Sequence, residues 1–363
     1  MENRLNNRCK DLLEVKIHDD GDTSGVEFLR YKVDFLHRTV RDFLRDNYQT
    51  ELREQTGAEY SALLSLCGMV LALVKILPVQ DFRPTSTLNF LFEYVDEFMY
   101  YVREFDRYHR ALLRTGRRAS LGNSTLPPPH GDLMNSSLSN TDLRIKLCND
   151  LLDELDRVYS VYAQNERNHW TNARDAPTGT KEPFNEYGQN TFLGLAIQTK
   201  LQIYVSDRLN TKLLRDKKGR PLLDYALRPK RVTPADLMYQ IERGDASIDV
   251  EMVSLLLGKG ADPNQIVHIY GGCSVWHIFL AFCRKYADKA PPPLKNTWYQ
   301  AMELLIEHGA DSKIRLAVGG DRLTVPEVLR KVFASGEAAR LERKIAEVLA
   351  QKQWVVWKWI GWT

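Results

Sequence analysis

Val253-Ser254-Leu255-Leu256-Leu257-Gly258-Lys259-Gly260-Ala261-Asp262-Pro263-Asn264 is the stretch that decides the fold. An apolar helical run ends on glycine, the residue best able to take the left-handed conformation that stops a helix, and a polar turn follows at once. Leu304-Leu305-Ile306-Glu307-His308-Gly309-Ala310-Asp311 repeats the pattern. Recurrence of one helix ending at a long period reads as a repeat architecture, in which each unit buries its core only against its neighbours.

The pattern is that of a degenerate ankyrin unit: turn, helix, helix, the first helix opening on a T-P-L-H-like motif. Three stretches supply that first half. They are Gly188-Gln189-Asn190-Thr191-Phe192-Leu193-Gly194-Leu195-Ala196, Gly219-Arg220-Pro221-Leu222-Leu223-Asp224-Tyr225-Ala226 and Gly272-Cys273-Ser274-Val275-Trp276-His277-Ile278-Phe279. The two Gly-Ala-Asp copies stand 49 positions apart, against about 33 for a regular repeat. The excess is assigned to an inserted loop around Lys285 to Asn296, which carries Pro291, Pro292 and Pro293. Pro326 to Phe333 and Leu341 to Leu349 read as a further pair closing the stack, so the repeats span 184–350. His277 and His308 lie within the repeat pattern and are expected to bond turn backbone rather than a metal. Asp262 and Asp311 read as turn residues.

Upstream, residues 141–171 read as one strong helix capping the repeats, with Thr141 as N-cap and a stripe of Leu143, Leu147, Leu151, Leu155, Val158 and Tyr162. Residues 115–140 are rich in Ser, Asn, Gly and Pro and read as a flexible linker, in which Arg117-Arg118-Ala119-Ser120 has the form of a basophilic kinase site. Residues 58–114 read as a helical domain that Pro78 and Pro84 divide. Within it Ala62 to Leu77 is apolar, but it is shorter than the roughly 20 residues of a membrane span and contains Lys75, so a buried core helix is expected. Residues 1–57 begin with a hairpin: Leu12, Leu13, Val15 and Ile17, a turn at His18 to Asp22, then Val26, Phe28, Val33 and Phe35. A helix should start near Thr39, with Thr39 and Asp42 as a capping box and Val40, Phe43, Leu44, Tyr48 and Leu52 on one face. At the other end, residues 351–363 hold Trp354, Trp357, Trp359 and Trp362, which either cover the end of the stack or anchor a partner. The fold class is mainly α: a short N-terminal β-hairpin (a partial winged helix), a helical domain and a C-terminal ankyrin-like helix-pair stack.

Composition narrows the function. The chain has 363 residues, 44% hydrophobic and 27% charged, with 50 basic and 47 acidic side chains and a net charge of +3. That near-balance provides no basic footprint for nucleic acid. Cys9, Cys67, Cys148, Cys273 and Cys283 are scattered and odd in number, without a C-x-x-C pair, so neither a disulfide framework nor a zinc site is expected. The N-terminus lacks the apolar core of a signal peptide, so the sequons at Asn123 and Asn135 carry no weight and a cytoplasmic location is expected. No G-x-x-x-x-G-K-[ST] loop, G-x-S-x-G elbow or H-E-x-x-H motif occurs, and the acidic residues alternate with Lys and Arg as on solvated faces. A non-catalytic protein without cofactor or metal is expected.

Val33-Asp34-Phe35-Leu36-His37-Arg38-Thr39-Val40-Arg41-Asp42-Phe43-Leu44 resembles a motif of fungal NACHT-type (NOD-like, STAND) signalling NTPases, where it closes a winged helix behind the nucleotide-binding domain. Arg8-Cys9-Lys10-Asp11-Leu12-Leu13-Glu14-Val15 resembles the start of the same wing, and Leu64-Ser65-Leu66-Cys67 and His169-Trp170 are similar to the helical segment that precedes ankyrin-like repeats in that family. The resemblance implies that His37 reaches the phosphates of bound ADP when an upstream nucleotide-binding domain is present. Without a phosphate loop in this chain, His37 is expected instead to pack at the strand-to-helix corner.

The expected function is therefore the protein-binding, regulatory sensor region of a NACHT-type signalling protein, engaging an unidentified protein partner through the stack, in fungal nonself recognition. The alternatives are a stand-alone ankyrin adaptor, which requires the N-terminal hairpin to pack without a missing partner, and an enzyme of unrecognised type, which requires a deep polar pocket. Neither nucleic acid nor a membrane is expected as a partner.

Overall fold

The computed structural model describes residues 12–17, 31–56, 60–76, 85–121, 131–162, 191–217, 220–228, 247–267, 272–318 and 321–359. They divide into two compact units, Met1–Tyr162 and Ala163–Thr363. Both are mainly helical, and the described strands form antiparallel pairs.

In the first unit β1 (Leu13–Ile17) pairs with β2 (Tyr31–Phe35), Val15 opposite Val33, as the alternation predicts. The proposed turn at His18–Asp22 and the residues Val26 and Phe28 lie outside the described residues. Helix α1 (Arg38–Asn47) follows directly, and its N-cap is His37 rather than Thr39. Thr39 already lies in the first turn, so its hydroxyl is past the orphan N–H groups it was expected to cap. Asp42 instead pairs with Arg38 and Arg45, each at 3.4 Å. The expected single helical face breaks at Tyr48, and α2 (Gln49–Thr56) starts anew.

Helices α3 (Ala62–Ile76), α4 (Thr85–Leu121) and α5 (Gly131–Tyr162) share one core. Leu64, Cys67, Val70, Leu71 and Val74 of α3 are buried with Val95, Phe98, Met99, Val102 and Phe105 of α4 and with Leu152, Leu155, Val158 and Tyr159 of α5. The apolar run of α3 is thus a core helix, and among the described residues no helix is long and apolar enough to cross a membrane.

Two boundaries differ from expectation. The linker at 115–140 is shorter: α4 runs to Leu121, taking Arg117–Ser120 into its last turns, and α5 opens at Gly131. Extending an existing helix needs no new nucleus, so Ser and Asn cost little there. The helix expected over 141–171 lies in the first unit, and its start at Gly131 puts Thr141 inside it rather than at its N-cap. It is tied to α3 by the Lys75–Glu154 ion pair, and Arg144 donates to the carbonyl of Tyr60, just before α3, at 3.4 Å. Its buried stripe is Cys148, Leu152, Leu155 and Tyr159, whereas Leu143 (64% exposed) and Leu147 (51%) face away. Of the stripe read from the sequence, Leu155 and Val158 are buried; only nearer the start of the helix does the buried face shift, to Cys148 and Leu152.

The second unit contains two rows of helices. The first helices are α6 (Phe192–Gln198), α9 (Leu222–Leu227), α11 (Val275–Tyr286) and α13 (Val325–Val332). The second helices are α7 (Gln202–Arg208), α10 (Val250–Gly258), α12 (Pro292–Glu307) and α14 (Ser335–Trp359). Neighbours pack within each row, α6 on α9 on α11 on α13, and α7 on α10 on α12 on α14. This is the helix-pair stack expected from the repeated motif. A short helix, α8 (Thr211–Asp216), stands between α7 and α9, capped by the Asn210 side chain.

Three of the four first helices open on a side-chain cap. The hydroxyls of Thr191 and Ser274 accept from Gly194 and His277 N–H, and Thr324 forms a reciprocal capping box with Glu327. Second helices α10 and α12 stop on Gly260 and Gly309, at φ +96° and +87°, where a Cβ would be strained. The inserted loop around Lys285–Asn296 is a correction. Pro292 and Pro293 are the first two residues of α12, and the extra length lies in longer helices, α11 and α12. Proline is suited to the first helical turn, where its missing N–H has no partner to lose.

Candidate protein-binding surface

Two hairpins project between the helix pairs. Strands β3 (Ile266–Val267) and β4 (Cys273–Ser274) pair before α11, and β5 (Arg315–Val318) and β6 (Asp321–Thr324) pair before α13. Alternation gives each hairpin an inner and an outer face. Val267 and Leu316 point inward and are fully buried, anchoring the hairpins to the core. Ile266, 43% exposed, and Arg315 occupy the corresponding outward positions.

One asparagine joins the two pairs. Asn264 Nδ2 donates to the Gly309 carbonyl at 3.0 Å, and its Oδ1 accepts from Asp311 N–H at 2.8 Å. Trp276, buried in α11, adds its indole N–H to the Asp311 carbonyl at 3.1 Å. The turns are stiffened by their aspartates: Asp262 accepts from Asn264 N–H at 2.8 Å and Asp311 from Lys313 N–H at 2.9 Å. Asp262 and Asp311 are thus the turn residues the repeat motif implied. His308 Nδ1 meets the Leu304 carbonyl at 2.8 Å, a backbone bond in its own last helical turn. His277 is half-buried on α11, and burial lowers its pKa.

His37 does not pack at its corner. It is exposed, with extended backbone at φ −134°, and its carbonyl accepts from Val40 N–H at 3.0 Å. Around it Leu12, Leu36, Phe43 and Tyr48 are exposed, and α1 buries none of its residues. Of the tail, Trp354, Trp357 and Trp359 lie on the last turns of α14, so the separate segment expected at 351–363 begins as helix. Their side chains, and Trp362 altogether, lie outside the described residues.

Two buried polar groups escaped the sequence reading. In α9 and its flanks, Arg220 and Arg228 close on Asp224: Arg220 Nε donates to Oδ2 at 2.6 Å, Arg228 Nε to Oδ1 at 2.7 Å, and Arg228 Nη2 to Oδ2. Burial pushes the Asp224 carboxyl upward, but the adjacent Arg228 and Arg220 outweigh it and hold it at about 2. The Arg220 guanidinium also lies 4.2 Å above the Tyr225 ring. In the helical bundle, Asp106 and His109 are buried. Asp106 pairs with Arg110 at 2.7 Å, and His109 stacks on Phe105 with its Nδ1 2.9 Å from the Phe105 carbonyl. The described cysteines, Cys67, Cys148, Cys273 and Cys283, are free thiols, and burial pushes Cys67 up to about 12. Among the described residues no group of three His, Cys, Asp or Glu is placed to hold a metal.

Residues 1–84 match a family model described as a domain of unknown function, DUF7791. The match takes in the hairpin, α1, α2 and α3. No curated protein and no solved structure matches the chain.

Proposed function

We propose that this chain is a non-catalytic protein-binding module, an ankyrin-like stack that recognises a protein partner as the sensor arm of a NACHT-type signalling protein. The carrying observation is the division of labour in the second unit. Core side chains and the Asn264 bridge hold the helix pairs together, while the outward hairpin positions stay exposed. A rigid scaffold with exposed, variable-chemistry loops is how repeat stacks present a binding surface. Fungal nonself recognition and a cytoplasmic location accompany this reading.

The exposure of Leu12, Leu36, Phe43 and Tyr48 favours the switch reading over the stand-alone adaptor. A free adaptor gains nothing from an amphipathic helix that buries no residue, whereas a segment that docks on a nucleotide-binding domain needs such a face. His37 beside that face then reaches nucleotide only in the presence of such a domain.

The test is lysine-directed cross-linking mass spectrometry of the tagged chain in cells that express it. Links from the exposed Lys313, in the turn before β5, and Lys331, on α13, to one other protein are expected. Links to that protein confined to Lys259 and the second-helix side refute the assignment of the binding face.

A further inference from the structure

The last hairpin carries a more specific message, resting on the protein-binding reading above. In β5–β6, Arg315 pairs with Thr324 and Ala317 with Arg322, so all four lie on one face, while Leu316 and Leu323 share the other. Leu316 is fully buried, which turns the Arg315 face outward, and Arg315, Ala317 and Arg322 are exposed. Diagonal cross-strand neighbours stand about 7 Å apart, so the two guanidinium groups flank a methyl-sized floor at Ala317. Lys313, also exposed, adds a cation in the turn just before the strand.

The nearby carboxylates are already engaged with backbone. Asp311 accepts from Lys313 N–H at 2.9 Å. Glu327 accepts from Thr324 N–H at 2.7 Å and from its hydroxyl at 2.8 Å, although its charge also acts on Arg315. Asp321 stands at a register position of the Leu316 face. The preceding hairpin places Ile266 at the position equivalent to Arg315, counted from Asp262 and Asp311, and Asn264 fastens the bases of the two hairpins together. An exposed apolar side chain therefore holds the equivalent outward position on the hairpin joined to the cationic one.

We infer that these two hairpins form the docking site for an acidic protein segment that carries an apolar side chain, its carboxylates on Arg315 and Arg322 and its apolar group on Ile266. Arginine presents a planar fork that suits carboxylates. Nucleic acid fits less well, because the neighbour of the cations is an isoleucine, and the whole chain is nearly balanced at +3.

Fluorescence anisotropy on the full chain tests this, with labelled short peptides alternating Glu and Leu, matched peptides alternating Lys and Leu, and an oligouridine RNA of equal length. The Glu/Leu peptide binds and the Lys/Leu peptide does not. Replacing both arginines (Arg315→Gln with Arg322→Gln) weakens binding about tenfold, from two part-desolvated ion pairs. Ile266→Ser weakens it about fivefold, the worth of half a buried side chain. Arg315→Lys with Arg322→Lys retains most of the binding and shows that the hairpin tolerates substitution. Equal binding of the two peptides, tighter binding of the RNA, or indifference to the double glutamine variant overturns the assignment. If the cross-linked protein still maps to Lys313 and Lys331 in those cases, the protein-binding reading survives and only the acidic partner falls. If no protein maps there, both fall.

Discussion

Asp224→Asn is the sharpest probe of the stack, because it removes one charge and almost no volume. Asp224 is fully buried, and Arg220 and Arg228 both close on its carboxylate, with donor distances of 2.6 Å and 2.7 Å for the two Nε atoms. An amide accepts through one oxygen and turns its NH2 group toward a guanidinium, leaving two buried cations without this counter-charge. Breaking a buried ion pair from one side costs about 3–5 kcal/mol, a large share of the roughly 5–15 kcal/mol by which a domain is stable. With a urea dependence of about 1–3 kcal/mol per molar, the midpoint should fall by about 2 M. Urea unfolding followed by far-UV circular dichroism reads the shift. A midpoint within about 0.3 M of the parent would refute the reasoning, since it would mean the arginines are neutralised elsewhere.

The same carboxylate has a pH signature. Its pKa falls from 3.8 to about 2 on folding, a difference worth about 2 kcal/mol. The folded carboxyl is the stronger acid, so this stability is fully present above about pH 4 and is lost as pH falls through about 2. Asp224→Asn should flatten the acid limb of the stability curve over that window.

Three further perturbations separate local effects. Gly194→Ala places a Cβ 3.2 Å from Cε2 and Cζ of Tyr225, a buried ring held beneath Arg220; the overpacking of about 1–3 kcal/mol exceeds the helix-propensity gain of about 1, so a lower melting temperature is expected. His109→Phe should remove a pH dependence: burial lowers the His109 pKa, so the unfolded chain takes up the proton first and stability falls as pH drops through the unfolded value of 6.5, a slope that calorimetry should find reduced in the variant. Asn264→Ala removes both bonds to the next pair, at a cost of about 1–2 kcal/mol, and hydrogen exchange at the Asp311 amide should rise with it; unchanged exchange would show that water replaces the side chain without loss.

Local backbone signals were legible in the sequence and long-range choices were not. The Gly260 and Gly309 endings and the β1–β2 alternation depend on a few adjacent residues, and the structure follows them. The stripe of α5 held only in part, with Leu155 and Val158 buried and Leu143 and Leu147 exposed, because the partner helix decides which residues are covered. The prolines at 291–293 were misread because a proline cluster signals a loop or a first helical turn equally well, and Pro292 and Pro293 open α12. Arg220, Asp224 and Arg228 resemble a solvated ladder at i, i+4 and i+8. The available clue was their setting: Leu222, Leu223, Tyr225, Ala226 and Leu227 leave that short helix no side to turn to water. Of the candidate site, His37 was placed at the right corner but in the wrong environment: it is exposed at the head of a helix that buries none of its residues. The outward face of β5–β6 was missed because no element was assigned between Asp311 and Pro326, and only the register puts Arg315 and Arg322 together.

The comparison of Asn264 with Lys313 ties stability to recognition. Each stands two residues after an aspartate that accepts its backbone N–H, at 2.8 Å and 2.9 Å, so the two positions are equivalent in successive turns. Asparagine offers a donor and an acceptor on one short side chain, which is what bridging the Gly309 carbonyl and the Asp311 N–H requires. Lysine has donors only and a long stem, and cannot close that bridge. The change from Asn to Lys therefore converts a position that joins two helix pairs into an exposed one, and the change from Ile266 to Arg315 two residues on gives the same turn a different surface chemistry. The backbone of the turn is kept by its aspartate in both cases, so the surface varies without disturbing the fold that presents it.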